Sequence, residues 1–429
     1  MKLRRTLAIV SALIVSASVF SACSDSTGSS SSPAAETSAS AQAETTAPQE
    51  ASPTPEGYNV SALAATDKAV DEEALSESLT SVGNPTAMQA KMKKALAGEK
   101  TTVAYLGGSI TEGFSAGPEK CYAKESFNRF KAAFGGGDNI QYVNAGISGT
   151  PSKLGNLRLQ RDILSKDPDI CFIEFAVNDA RDTDHRAAYE SIVRDLIEKD
   201  VAVVLLFSRT DSGYSAQDQM KEIGAYYNVP MISYADGLTY MLDNKKIAWS
   251  DFSSDNTHPN LRGHAIVADM ICNYFKEAFA AAPEAYTYPT APLSIMVQQG
   301  MQMFENKDIE PEDSGSWSTG SDVSFFKQGW TYDAKGDNKP LIFKFRGKFA
   351  HIVYKESNDK SYGKIKVKVT VDGEEYDTQT ISSYKESGWG NPVAVQIGMQ
   401  ASEKDYVVEI SMDKGCETDH AQILAIAHN

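Results

Sequence analysis

Thr101-Thr102-Val103-Ala104-Tyr105-Leu106-Gly107-Gly108-Ser109-Ile110-Thr111 is the stretch whose reading decides the fold. Residues 102–106 are apolar without alternation, which predicts a strand covered on both faces rather than one half-exposed to water. Two glycines then bring a hydroxyl to the end of that strand. Comparable runs recur at Ile140–Asn144, Ile170–Phe175, Val201–Phe207 and Val229–Tyr234. Helix-period segments separate them at Ala123–Phe134, Ala188–Lys199 and Gln217–Tyr227, with an earlier helix around Ala87–Ala97. A last helix is expected from about Leu261 to Phe279, with Asn260 as its N-cap. This alternation predicts a parallel α/β sheet between two helical layers over residues 58–285. Ligand-binding groups in such sheets gather just past the C-terminal ends of the strands.

Downstream, the texture changes. A Pro-, Ala- and Tyr-rich connection over 286–315 leads into short alternating or β-branched runs at Leu341–Phe345, Phe349–Tyr354, Lys364–Val371, Val393–Ile397 and Tyr406–Ser411. Val371-Asp372-Gly373-Glu374 is a hairpin turn signal. Residues 316–429 therefore read as an all-β sandwich of jelly-roll type.

Upstream, Lys2, Arg4 and Arg5 precede an apolar run from Leu7 to Phe20 and the small residues Ser21-Ala22 before Cys23. Residues 1–23 thus read as an export signal, too short to span a membrane, which takes about 20 apolar residues. The pattern resembles a bacterial lipoprotein signal, which implies lipidation of Cys23 and anchoring at the bacterial cell surface. Phe20 stands where Leu is usual, and secretion without a lipid is the alternative. Residues 24–57 are nearly all Ser, Thr, Ala, Pro, Glu and Gln, a composition that predicts a disordered tether. The chain carries 57 Asp+Glu against 41 Lys+Arg, a net charge of -16, which argues against a nucleic-acid partner. Cys121, Cys171, Cys272 and Cys416 show no disulfide framework, and Cys171 and Cys272 lie in apolar segments.

Three further segments complement Ser109. Asn144-Ala145-Gly146 and Val177-Asn178-Asp179 follow later strands, and Asp255-Asn256-Thr257-His258-Pro259 precedes the last helix. A serine hydroxyl attacks efficiently only when a base takes its proton. His258 suits that task, and Asp255, three residues earlier, is close enough to hold the other ring nitrogen. The amides of Ser109 and Gly146 with the Asn178 side chain make a plausible oxyanion hole. Read singly, each segment has a blander use: a turn at Ser109, Asn178 or Asp255, a helix cap at His258. No His-Glu-x-x-His occurs among the six histidines, so no metal site is expected, and the chemistry requires no cofactor.

Over residues 101–282 these blocks resemble the SGNH (GDSL-type) hydrolase superfamily. Gly108 stands where that family usually has Asp, and Ala176 where it usually has Gly, while the Asp-x-x-His block is intact. The resemblance implies a flavodoxin-like three-layer α/β/α domain. It also implies a Ser109, His258 and Asp255 triad, with Gly146 and Asn178 completing the oxyanion hole. Trp249 and Phe252, just upstream of Asp255, either shape a substrate subsite or pack beneath the loop. Trp317, Trp330 and Trp389 either stack on sugars or fill the β core. The resulting expectation is an extracellular carboxyl esterase acting on an acylated carbohydrate or another small ester. A lipase or thioesterase of the same fold and a non-catalytic glycan-binding lipoprotein are the alternatives.

Overall fold

The computed structural model describes residues 57–334 and 337–429. The expected signal, Cys23 and all but the last residue of the expected tether lie outside the described residues. The first sheet contains β1 (Leu79–Ser81), β2 (Thr101–Gly107), β3 (Ile140–Gly146), β4 (Ile170–Glu174), β5 (Ala202–Phe207) and β6 (Met231–Ser233). Its order is β1-β6-β5-β4-β2-β3, parallel throughout except for β1, which runs antiparallel to β6.

Alternate residues of the apolar strands feed two different cores, which is why the runs lack alternation. Val103, Tyr105, Ile170 and Phe172 pack with helices Tyr122–Phe134 and Leu261–Ala280. Ala104, Leu106, Cys171 and Ile173 pack with Thr183–Glu198 and Gln217–Tyr226 on the opposite face. The three-layer α/β/α expectation therefore holds, with β1 added at one edge. Asn260 caps the last helix as expected, its side chain accepting from the Gly263 N–H at 3.0 Å. Cys121, Cys171, Cys272 and Cys416 are free thiols.

The second sheet is antiparallel and eight-stranded. It comprises β7 (Gln302–Phe304), β8 (Trp317–Thr319), β9 (Trp330–Tyr332), β10 (Leu341–Ser357), β11 (Lys364–Val371), β12 (Glu374–Ser382), β13 (Trp389–Met412) and β14 (Gln422–His428). Its strands form one hydrogen-bonded network, because β10 and β13 are long strands that pass from one half to the other. Register shifts near Gly347 and Phe349 bend this pair, and both halves contribute to one core around Trp330, Phe343, Val367, Val408 and Ile426. Asp372 and Gly373 both have positive φ, 50° and 88°, as a tight hairpin between β11 and β12 requires. β7 lies inside the segment read from sequence as a connection; Met303 is buried and the strand pairs with β14.

The two sheets belong to one compact unit and share a small apolar core. Ile147, Leu154 and Leu157 from the α/β part meet Met303, Phe326, Val353 and Leu424 from the β part. The segment leading from β3 is thereby pinned against the second sheet.

Candidate active site

Ser109 begins a single helical turn, Ser109–Glu112, immediately beyond β2, and is 6% exposed. Its Oγ lies 2.9 Å from His258 Nε2. His258 Nδ1 lies 2.8 Å from Asp255 Oδ2, while Asp255 Oδ1 accepts the backbone N–H groups of Thr257 and His258, both at 2.7 Å. A proton on Nδ1 facing the carboxylate leaves Nε2 as an acceptor for the Ser109 hydroxyl. Burial raises the Asp255 carboxyl, but the His258 amide and ring and the Thr257 amide outweigh it and hold it below the usual range.

The loop bearing this pair is tied down locally. Ser253 Oγ donates to the His258 carbonyl at 2.6 Å, and Trp249 Nε1 donates to the Asp255 carbonyl at 2.6 Å. The Phe114 ring sits 4.3 Å from the imidazole, covering part of it, and is itself 52% exposed. Trp249 therefore touches the loop that carries Asp255. Phe252 is fully buried in the core against Tyr234 and Gly263 and cannot line a subsite, which corrects its placement as a substrate-binding residue.

The GDSL-like lipase/acylhydrolase family model covers residues 105–266. The chain carries a GDSL-like acylhydrolase domain. By that domain it is an ester hydrolase. A two-domain esterase active on acetylated mannans is 26% identical and superposes with a TM-score of 0.73, covering 82% of this chain and 98% of that one. The same esterase co-crystallized with mannopentaose gives 26% identity and a TM-score of 0.72, over 82% and 97% of the two chains. No curated protein matches the sequence.

Within the acylhydrolase domain the expected oxyanion donors fare differently. Ser109 N–H and Asn178 Nδ2 have no hydrogen-bond partner among the described residues, and Asn178 Oδ1 is buried without one. Asn178 packs tightly on the turn that carries Ser109: a Cβ at Gly108 would sit 2.4 Å from its Oδ1. The Gly146 N–H, by contrast, is occupied, donating to Asn144 Oδ1 at 2.8 Å, and Gly146 is buried. Three residues on, Gly149 is exposed at a φ of 70°, and its N–H has no partner among the described residues. Ser148 between them is held by Glu112, which accepts both its N–H and its hydroxyl. The sequence signal that could have found Gly149 is the second glycine of Asn144-Ala145-Gly146-Ile147-Ser148-Gly149.

Beneath the turn lies an acid that motif reading passed over. Glu174, at the end of β4, is fully buried and accepts from the hydroxyls of Ser208 and Thr111 and from the Gly108 N–H. Burial pushes its carboxyl up to about 7 against these hydrogen bonds. Asp179 is likewise raised, to about 8, by burial, although its Oδ1 accepts the Ser152 N–H at 2.7 Å. Among the described residues no group of three or more His, Cys, Asp or Glu could hold a metal ion.

Beside the domain runs a cleft of about 400 Å³ between the two sheets. Glu112, Ile147 and Ser148 line one wall, and Phe325, Lys355 and Trp389 the other. Ser109 is not itself on that lining; Glu112, one helical turn later, is. Trp389 is 60% exposed, and its ring reaches within 2.8 Å of where a Gly149 Cβ would lie. Trp317 and Trp330 are buried in the β core, so of the aromatic candidates in the second sheet only Trp389 faces solvent.

Proposed function

We propose that this chain is an extracellular serine carboxyl-ester hydrolase that removes acetyl, or another short acyl group, from a carbohydrate. The observation that carries the reading is the unbroken line from Asp255 Oδ2 through His258 to Ser109 Oγ, with gaps of 2.8 and 2.9 Å. His258 Nε2 takes the hydroxyl proton as Ser109 Oγ bonds to the ester carbonyl carbon. Collapse of the tetrahedral intermediate breaks the carbon–oxygen bond to the sugar, whose oxygen leaves with the proton from His258. Water then attacks the acyl-enzyme, gives a proton to His258, and the acid departs as Ser109 regains its own. Asp255 stabilises the imidazolium in both halves without being protonated itself.

The oxyanion would be met by the Ser109 N–H and Asn178 Nδ2, with the free Gly149 N–H in the role first assigned to Gly146. A donor already committed to Asn144 cannot serve a transition state without breaking that bond.

The sugar part of the reading draws on two supports. One is the likeness to a two-domain esterase active on acetylated mannans. The other is the cleft at Glu112 and Ser148, where Trp389 and Phe325 offer exposed ring faces of the kind that pack against pyranose rings. Export through the Lys2–Cys23 segment, with a lipid on Cys23, would place the enzyme where polymeric glycans are met.

The test is acetate release from acetylated mannan and hydrolysis of p-nitrophenyl acetate by the purified chain. Ser109→Ala is expected to abolish both. Trp389→Ala is expected to raise KM for acetylated oligosaccharides by ~10-fold, about the 1.4 kcal/mol of one aromatic face, while leaving nitrophenyl acetate unchanged. Retained esterase activity in Ser109→Ala would end the mechanism, and equal loss on both substrates in Trp389→Ala would end the subsite.

A further inference from the structure

The nucleophile turn is tied to the second sheet by a chain of charged groups that takes no part in the acyl transfer. Arg158 is completely buried, and its guanidinium grips two strand ends at once. Nη2 donates to the Gly107 carbonyl at 3.0 Å, directly before Gly108-Ser109, and Nη1 donates to the Ala145 carbonyl at 2.7 Å, directly before the Gly146–Gly149 loop. The same Nη1 donates to Asp162 Oδ2 at 3.0 Å. Asp162 in turn receives Arg161 on both oxygens, from Nε at 2.6 Å and Nη2 at 3.1 Å. Arg161 Nη1 then crosses to the β part, where it donates to Glu305 Oε1 and, at 3.2 Å, to the Phe325 carbonyl. Its guanidinium also lies 4.8 Å over the Phe326 ring.

A planar guanidinium held by a two-point fork fixes orientation as well as distance, which a single charge would not. Asp162 is pressed upward by burial, yet Arg161 and Arg158 together hold it below the usual carboxylate range, so it remains an anion between two cations. The β2–β3 ladder already pairs Gly107 with Gly146. The relay can therefore adjust only the last step of each strand, the step that aims the Ser109 and Gly149 amides.

We infer that Arg158, Asp162, Arg161 and Glu305 are positioning residues through which the second sheet sets the geometry of the nucleophile turn, so that turnover as well as glycan binding depends on the β part. This rests on the acyl-transfer reading above. Phe325 stands at the cleft wall and at the end of the relay, which links the place where a glycan would press to the place where the ester reacts.

The experiment uses the full chain and p-nitrophenyl acetate, a substrate too small to need the cleft. Arg161→Met and Glu305→Gln are each expected to lower kcat roughly 10-fold with KM changed less than about 2-fold, below the ~10²-fold that a 1 Å misplacement can cost. The double variant is expected to be no slower than the slower single variant, because both cut one path. Arg161→Lys, which keeps the charge and loses the fork, is expected to fall between wild type and Arg161→Met, and it stands in for that variant if Met prevents folding. Unchanged kcat in variants that are folded by circular dichroism would overturn the relay, as would losses that multiply in the double variant. An inactive wild type, or an active Ser109→Ala, would instead overturn the acyl-transfer reading.

Discussion

Replacing Gly108 by alanine probes how closely the Gly108-Ser109 turn and Asn178 are fitted. An ideal Cβ at 108 lies 2.4 Å from Asn178 Oδ1 and 3.0 Å from its Cγ, whereas ordinary contact begins at 3.4 Å. Either the amide or the turn must retreat by about 1 Å, and a shift of that size costs ~10²-fold in rate. Losing one oxyanion donor costs ~10²–10³. Both figures describe the same displaced group, so they do not multiply, and the expected fall in kcat is ~10²-fold. Overpacking of this kind costs typically ~1–3 kcal/mol in stability, so the variant should remain folded in an assay run well below its thermal midpoint. Steady-state hydrolysis of p-nitrophenyl acetate measures the effect. Asn178→Ala provides the internal control: adding Gly108→Ala to it should cost little more. A folded Gly108→Ala enzyme with kcat within ~3-fold of wild type would refute the claim that Asn178 is set by contact with residue 108.

Asp255→Asn should lower kcat by ~10⁴-fold with little change in KM, because an amide facing His258 Nδ1 no longer fixes the tautomer that accepts the Ser109 proton; the same kinetics with intact kcat would deny Asp255 that role. Glu174→Gln should alter how stability depends on pH. A carboxyl held at about 7 in the fold but near 4.5 when unfolded binds a proton on folding, so the native enzyme loses stability as pH climbs through that window. The variant lacks this loss and should gain on wild type by about 3 kcal/mol between pH 4.5 and 7, read from denaturant unfolding at each pH; a constant difference would sink the reasoning. Residues 58–285 expressed alone should melt well below the full chain, since Ile147, Leu154 and Leu157 each lose burial worth about 1.5–3 kcal/mol; equal midpoints would contradict this.

The parallel strands were legible because each alternate residue serves a different buried face, and that leaves an unmistakable apolar run. β1 was not, since three residues after a helix carry no period. β12 escaped for a related reason: Glu374–Ser382 is mostly exposed, so its sequence is nearly all polar. The two long strands β10 and β13 read as two short strands each, with Arg346-Gly347-Lys348 mimicking a turn where the chain instead bends through a register shift. A single bent sheet and a sandwich bury the same alternating residues, so the pattern alone does not separate them.

The chemistry was legible wherever it is local. Asp255 and His258 lie within one loop, and the hydrogen bonds joining them need no partner from elsewhere. Ser109 lies at the C-terminal end of β2, and the loop before the last helix carries His258 to it. Reading failed where residues acquire meaning only from a distant neighbour. Gly149 lies against Trp389, far along the chain, whereas Gly146 was misread for a local reason, its amide being claimed by Asn144 two residues earlier. Of the two uses open to Phe252, packing beneath the loop is the one taken, with the last helix lying across it. Glu305 and Phe325 carry no motif at all, yet Arg161 binds both and is joined through Asp162 and Arg158 to the strand that leads to Ser109. Gly146 apart, these failures lie where one sheet or helix closes over another. That is also where a substrate longer than its ester would be gripped, so specificity is expected to reside in the part of this sequence that local pattern describes least.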